Sequence, residues 1–240
     1  MPRIGTRKLY YILERDLNAL KVGRDKLFTI LKANNMDIKP KRSYRITTNS
    51  HHRFKKHKNL ILDMDITKPE QVWVSDITYV GSRDNNQYLS LITDAYSKKI
   101  VGFDLSDSLD TSGAIRAFRM AIKDRKYKEN ILIHHSDKGV QYCSNWYQEE
   151  LNKYKIKTSM TEAYDPYQNA IAERVNGILK QEFYIEDYNT DLETLNKIIK
   201  DSIYIYNEHR PHLSNSMLTP NQMHKQSEIK IKTYKNKNPN

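Results

Sequence analysis

The apolar positions divide the chain into three textures. Near its start, Leu9, Ile12, Leu13, Leu17 and Leu20 recur at helical spacing, with Thr6 as the N-cap. Leu27, Ile30 and Leu31 form a second short stripe between Gly23 and Asn34-Asn35. Two short helices joined by a tight turn are expected, an arrangement compatible with a helix-turn-helix module. Residues 39–67 then carry Pro40, few large apolar side chains and a cluster of Lys, Arg and His, the pattern of a linker or arm.

From residue 68 the texture changes again. Val72-Trp-Val-Ser-Asp-Ile-Thr-Tyr-Val80 is apolar or β-branched on both faces, as a central strand covered on both sides requires. Strand-like runs follow at 87–93 and 99–105, with turns at 82–86 and 94–98 short enough for antiparallel hairpins. Ala114, Ile115, Phe118, Ala121 and Ile122 make an amphipathic helix after Asp110-Thr111. Residues 130–134 predict a fourth strand, 144–154 a helix and 156–159 a fifth strand. Two longer helices are expected near 166–184 and 191–208, the second opened by a Thr190-x-x-Glu193 capping box. Three meandering strands followed by alternating helix and strand give an α/β fold, a mixed five-stranded sheet flanked by helices.

Charge sharpens this division. The first 60 of the 240 residues hold 16 Lys and Arg against 4 Asp and Glu, a net +12, whereas the other 180 hold 24 against 25. A basic arm on a near-neutral body suggests a polyanionic partner. No apolar run is long enough to span a membrane, and the charged N-terminus does not suit a secretory signal, so a cytoplasmic protein is expected. The single cysteine, Cys143, excludes a disulfide framework and a multi-cysteine zinc site within one chain. His51, His52 and His57 have no nearby cysteine to complete a metal site and read as solvated or phosphate-contacting groups.

Three acids stand out. Asp76 sits mid-strand among Val74, Ile77 and Val80, where an unpartnered carboxylate is costly; the alternative is a buried acid satisfied by hydrogen bonds. Asp137 lies just past the fourth strand, where α/β sheets place functional groups, or serves as a turn aspartate before Gly139. Glu173 shares one helix face with Asn176 and Lys180, opposite the stripe Ile171, Val175, Ile178, Leu179 and Phe183; the alternative is a solvated face. Acids converging from separate elements can hold hard divalent cations, as metal-assisted phosphoryl transfer requires. Asp94 competes as a fourth acid but lies in a turn-like segment and reads as a turn or cap residue.

The order Asp, Asp, Glu, with 35 residues between Asp137 and Glu173, resembles the DDE transposases and retroviral-type integrases. More specific are His135-Ser-Asp-Lys-Gly-Val-Gln-Tyr142, Tyr164-Asp-Pro-Tyr-Gln-Asn-Ala-Ile-Ala-Glu173 and Tyr206-Asn-Glu-His-Arg-Pro-His212. With Arg24-Asp-Lys-Leu-Phe28 and Tyr44-Arg-Ile-Thr-Thr48, they resemble the second-frame protein of the insertion sequence three family over nearly the whole chain. The resemblance implies a ribonuclease-H-like fold. It divides the chain into a basic helical helix-turn-helix-like domain (1–46), a basic linker (47–67), an integrase catalytic core (68–226) and a basic tail (227–240). It also implies Mg²⁺, with Mn²⁺ as a substitute, held by Asp76, Asp137 and Glu173. The implied chemistry is DNA 3′-end cleavage followed by strand transfer, without a covalent protein–DNA intermediate. Lys180 takes the position of the family's basic residue seven after the glutamate, and Lys138 and Arg174 are further candidate DNA contacts. The implied partners are transposon-end and target DNA, further copies of the chain assembled on DNA, and the upstream-frame protein or a fusion with it; no membrane is involved. The alternative is an inactive transposase relic that only binds DNA.

Overall fold

The structure, a computed structural model, describes residues 3–38, 53–81, 87–162 and 169–226. The expected turn at 82–86, the tail at 227–240, His51, His52, the 44–48 block and residues 164–168 of the second motif lie outside the described residues.

The apolar run at 72–80 forms β1 (Val72–Val80), the centre of a five-stranded sheet ordered β3-β2-β1-β4-β5. β2 (Gln87–Asp94) runs antiparallel to β1, and β3 (Ile100–Ser106) antiparallel to β2. On the other side β4 (Ile133–Ser136) and β5 (Lys157–Met160) continue the sheet in parallel. Parallel neighbours need crossovers, and helices supply them. α4 (Thr111–Lys123) precedes β4, while α5 (Val140–Cys143) and α6 (Asn145–Lys153) lie between β4 and β5.

Successive side chains of a strand point to opposite faces, so β1 feeds two cores. Trp73 and Ile77 pack with Phe118 of α4 and Tyr147 and Leu151 of α6. Val80, with Leu89 and Leu91, meets α7 (Ala170–Phe183) and α8 (Leu192–His209) through Val175, Leu179, Ile199 and Tyr206. Gly102 lets α4 lie close against β3: a Cβ there would come within 2.2 Å of the Ala117 carbonyl oxygen.

Several local expectations are corrected. The first apolar run is two helices, α1 (Thr6–Ile12) and α2 (Glu14–Ala19), because the backbone at Leu13 (ψ 6°) departs from the helix. Thr6 is the first helical residue and Gly5 the cap. The break turns Leu17 onto Leu27 and Leu31 of α3 (Arg24–Ala33) and leaves Leu20 72% exposed. β4 begins at Ile133 and not at 130, because Asn130 closes a turn on Tyr127 (N–H to O, 3.0 Å). α8 is capped by Asp191, whose carboxylate accepts from the Thr194 N–H at 2.9 Å, so the expected Thr190/Glu193 box does not form. A capping box does occur at α9 (Pro220–His224), between Thr219 and Gln222, a helix not anticipated from the sequence.

Asp94 anchors its turn, as expected, accepting from the Ser97 N–H (2.8 Å) and from the Glu70 N–H (2.7 Å). It also belongs to a buried node: His224 lies 3.3 Å from Glu70 and 3.6 Å from Asp94. Burial opposes charging His224, but the hydrogen bonds to Asp94 and Glu70 outweigh it and raise the imidazole pKa. Its stabilising charge is fully present below the unfolded value, about 6.5, and is lost as pH rises through the folded one. We expect the melting-temperature advantage of the parent over His224→Gln to shrink between pH 6 and pH 9. A constant difference would show that the charge is not used. His134 and His212, both pushed down to about 3 chiefly by burial, act in the opposite direction in both proteins and cancel in the comparison.

Candidate active site

Asp76 occupies the β1 position between the two cores, on the side facing α7. It is partly buried, and its Oδ2 accepts a hydrogen bond from Asn176 Nδ2 at 2.7 Å. The start of α7 is tied down beside it: the buried Asn169, its N-cap, donates to the Ser75 carbonyl at 3.2 Å. Asp137 leaves the end of β4, the neighbouring parallel strand, and its Oδ1 accepts from the Gly139 N–H at 2.9 Å. A Cβ at Gly139 would itself lie 2.9 Å from that oxygen, so a larger residue would displace the carboxylate. Glu173 is exposed in the first turn of α7.

Asp76 and Glu173 both lie in the field of Asp137. Burial, then the charge of Asp137, pushes the Asp76 carboxyl up to about 7, against the Asn176 hydrogen bond and with a further contribution from Glu173. Burial and Asp137 also raise Glu173. Asp137 is thus the common neighbour. Among the described residues, no three His, Cys, Asp or Glu side chains are drawn together closely enough to enclose an ion. The donor chemistry nonetheless fits a hard divalent cation. Asp76 and Asp137 offer oxygen ligands from adjacent strands, their mutual repulsion is what such a cation relieves, and Glu173 projects from the facing helix.

The candidate DNA contacts are spread around these acids. Arg174 is exposed beside Glu173, and Lys180 is partly buried further along α7. Lys138 follows Asp137 directly, and its ammonium donates to the Glu162 carbonyl at 2.6 Å.

The polar side of α7 is only in part the solvated face that its sequence allowed: Glu173 is exposed, but Asn176 is not. Asn176 is 5% exposed and packs against β1. Its place three residues after Glu173, on the same helical face, was the available signal for a role at the site. If Asp76 is a metal ligand, removing its support by Asn176→Ala is expected to weaken divalent-cation binding by roughly 10–100-fold, as loss of a ligand's hydrogen-bonding partner commonly does. Titration of the purified protein with Mg²⁺ or Mn²⁺ checks this, and an unchanged affinity would reduce Asn176 to a packing residue. Beneath the site, the His134 Nε2 lies 2.7 Å from Ser75 Oγ and 2.9 Å from the Tyr147 hydroxyl, which cross-links β1, β4 and α6.

The block 206–212 proves to be a structural staple. The Tyr206 hydroxyl donates to the Lys98 carbonyl at 2.8 Å, and Asn207 brackets the Ile100 backbone with bonds of 3.0 and 2.9 Å. Arg210 donates twice to Glu182, at 2.7 Å each, locking α8 to the far end of α7. Lys8 of α1 joins the same carboxylate at 3.0 Å.

Comparison with known proteins places this architecture. Models of the integrase core domain match residues 66–166 and 154–220. An uncharacterized 31 kDa protein of insertion element IS600 from Shigella sonnei is 34% identical over 218 residues, 90% of this chain and 79% of that protein. Transposase InsF of insertion sequence IS3A from Escherichia coli is 30% identical over 161 residues, 67% of this chain but only 56% of InsF. Among solved structures, the HTLV-2 integrase catalytic core domain in complex with magnesium aligns with a TM-score of 0.52 at 22% identity, covering 65% of this chain and 97% of that one. The simian T-cell lymphotropic virus intasome aligns at 0.55 and 18% identity, covering 92% and 74%. At such identities the likeness concerns the fold, and it is the expected ribonuclease-H-like one. The matched core models, the length of the IS600 alignment and the shared sheet together lead to one assignment: the chain belongs to the insertion sequence three family of transposases, as a second-frame-type protein with an integrase catalytic core.

Proposed function

We propose that the protein cleaves the 3′ ends of its element's DNA and joins them to target DNA, with Asp76, Asp137 and Glu173 holding Mg²⁺. The observation that carries this reading is the placement of the three carboxylates on β1, at the end of the adjacent parallel strand β4 and in the first turn of α7, with Asp76 held by Asn176 and Asp137 by the Gly139 N–H. When bound, the metal would activate the attacking oxygen and neutralise charge on the phosphate. Water displaces the 3′ oxygen at the element end, and the freed 3′-OH then displaces the 3′ oxygen of a target phosphodiester. In this reading Asn176 fixes Asp76, and Gly139 fixes Asp137, before DNA arrives. Lys180, Arg174 and Lys138 are assigned to phosphate contacts around the acids, and the basic helices α1–α3 to duplex DNA. Assembly of several copies on paired ends is part of the proposal, supported by the intasome likeness.

The test uses purified protein and a labelled duplex ending in the element's terminal repeat, with Mg²⁺ or with EDTA. The expected product is a Mg²⁺-dependent nick at the 3′ end, followed by joined products. DNA binding without nicking would make the protein a DNA-binding relic. A covalent phosphotyrosyl–DNA adduct would replace the mechanism.

A further inference from the structure

The molecule also has a concave site lined by none of the three acids. A cavity of about 660 Å³ opens between the arm before the sheet and the α6–β5 edge. Lys55 and His57 line it from the arm, and Lys155, Lys157, Asn145 and Asn152 from the opposite wall. Segments about a hundred residues apart therefore bring cations to one place. Among the described residues, Lys55, Lys155 and Lys157 take part in no ion pair with a carboxylate.

The arm is not there by chance of a loose tail. The Leu60 N–H donates to Ser159 Oγ at 2.8 Å, the Asn59 N–H to Glu162 at 2.9 Å, and the Met160 N–H to the Lys58 carbonyl at 3.3 Å. These bonds cover the edge strand β5 and hold Lys55 of the arm opposite Lys155 and Lys157 of the wall. The like charges repel: burial, then Lys55, keeps the His57 imidazole below its ordinary pKa. A fixed convergence of unneutralised cations with amide donors between them is built for an anion of repeating charge. Its location gives the anion a direction. Cys143 also lines the cavity, on α5, the helix that follows the Asp137 loop directly.

We infer that this cavity is a groove for the phosphodiester backbone of duplex DNA, carrying a segment away from the acidic site along the α6–β5 edge. The inference rests on the proposed DNA chemistry but assigns residues that chemistry does not use.

The experiment measures binding of a labelled DNA duplex by fluorescence anisotropy across a salt series. The variants are Lys55→Gln/Lys155→Gln/Lys157→Gln and a control, Lys197→Gln/Lys200→Gln, on α8 across the sheet. Each lost phosphate contact lowers the slope of log K against log salt by about 0.9, so the triple variant should lose roughly 2–3 units of slope. Its affinity at 0.1 M salt should fall on the order of 100-fold, with the control nearly unchanged. The altered lysines are exposed, so equal melting temperatures are expected and verify folding. A slope in the triple variant equal to that of the parent or the control overturns the groove while leaving the catalytic reading intact. Parent protein that binds no DNA overturns both. A lowered slope in a parent background that never nicks DNA supports the groove and removes the catalytic reading.

Discussion

Under the proposed function, Asp76→Asn and Asp137→Asn should each lower strand cleavage by roughly 10²–10³-fold, the scale expected when a group stabilising transition-state charge is removed. Asparagine keeps the shape and loses the charge, so the proposed cation site would lose a ligand while the strand and loop keep their packing. DNA binding should be equal or slightly tighter, since a negative charge facing the phosphates has gone. Glu173→Gln should act in the same direction. The change at Asp76 carries a second signature. Its carboxyl is pushed up to about 7, so the folded protein holds that proton more tightly than the unfolded chain does. Stability present below the ordinary carboxylate range is therefore lost as pH rises toward 7, and Asp76→Asn escapes that loss. The inactive variant should melt higher than its parent at pH 8 and alike at pH 4, read by circular dichroism. Full cleavage by any one of the three variants would remove that residue from the site.

Arg210→Met should lower stability by about 3–5 kcal/mol, the usual cost of leaving one charge of a buried pair unmatched. The Arg210 guanidinium is 1% exposed and bidentate on Glu182, and it lies 5.7 Å from the Tyr206 ring. Lys8, the other partner of Glu182, cannot replace the fork with a single ammonium. For a chain of this size the loss corresponds to a fall in Tm of roughly 10 °C. Lys8→Met/Glu182→Gln/Arg210→Met should recover part of it, because no member of the buried cluster is then left as an unmatched charge. A single variant melting within 2 °C of the parent would mean that the pair does not staple the helices. Because α7 also carries Glu173 and Lys180, the single variant should lose cleavage at temperatures where it is still folded, a sign that the staple aims the helix.

Much of the fold was legible because β1 demands it. A nine-residue run apolar on both faces fits only a central strand, and β1 spans Val72–Val80 as read. Boundaries set by long-range pairing were harder to place. The start of β4 depends on the register Val72↔Ile133, and no local signal encodes it. The split at Leu13 was likewise invisible, since helical spacing continues through it and only packing on α3 requires the bend. At the site, the 35-residue gap and the motif words singled out the acids, but Asn176 read as one more polar residue on a helix face.

By itself, then, the sequence determined the class of fold and the basic character of the first sixty residues, because these rest on residue type and local periodicity, and it nominated three acids through motifs that resemble a known family. The tertiary structure alone decided which carboxylates share a field, since Asp76 and Asp137 meet only through the pairing of β1 with β4. It also decided that Asn176 turns inward, that Arg210 and Lys8 converge on Glu182, and that Lys55 of the arm shares a cavity with Lys155 and Lys157. Each of these is a contact between segments far apart in the chain, and such contacts are set by packing, which no local pattern records.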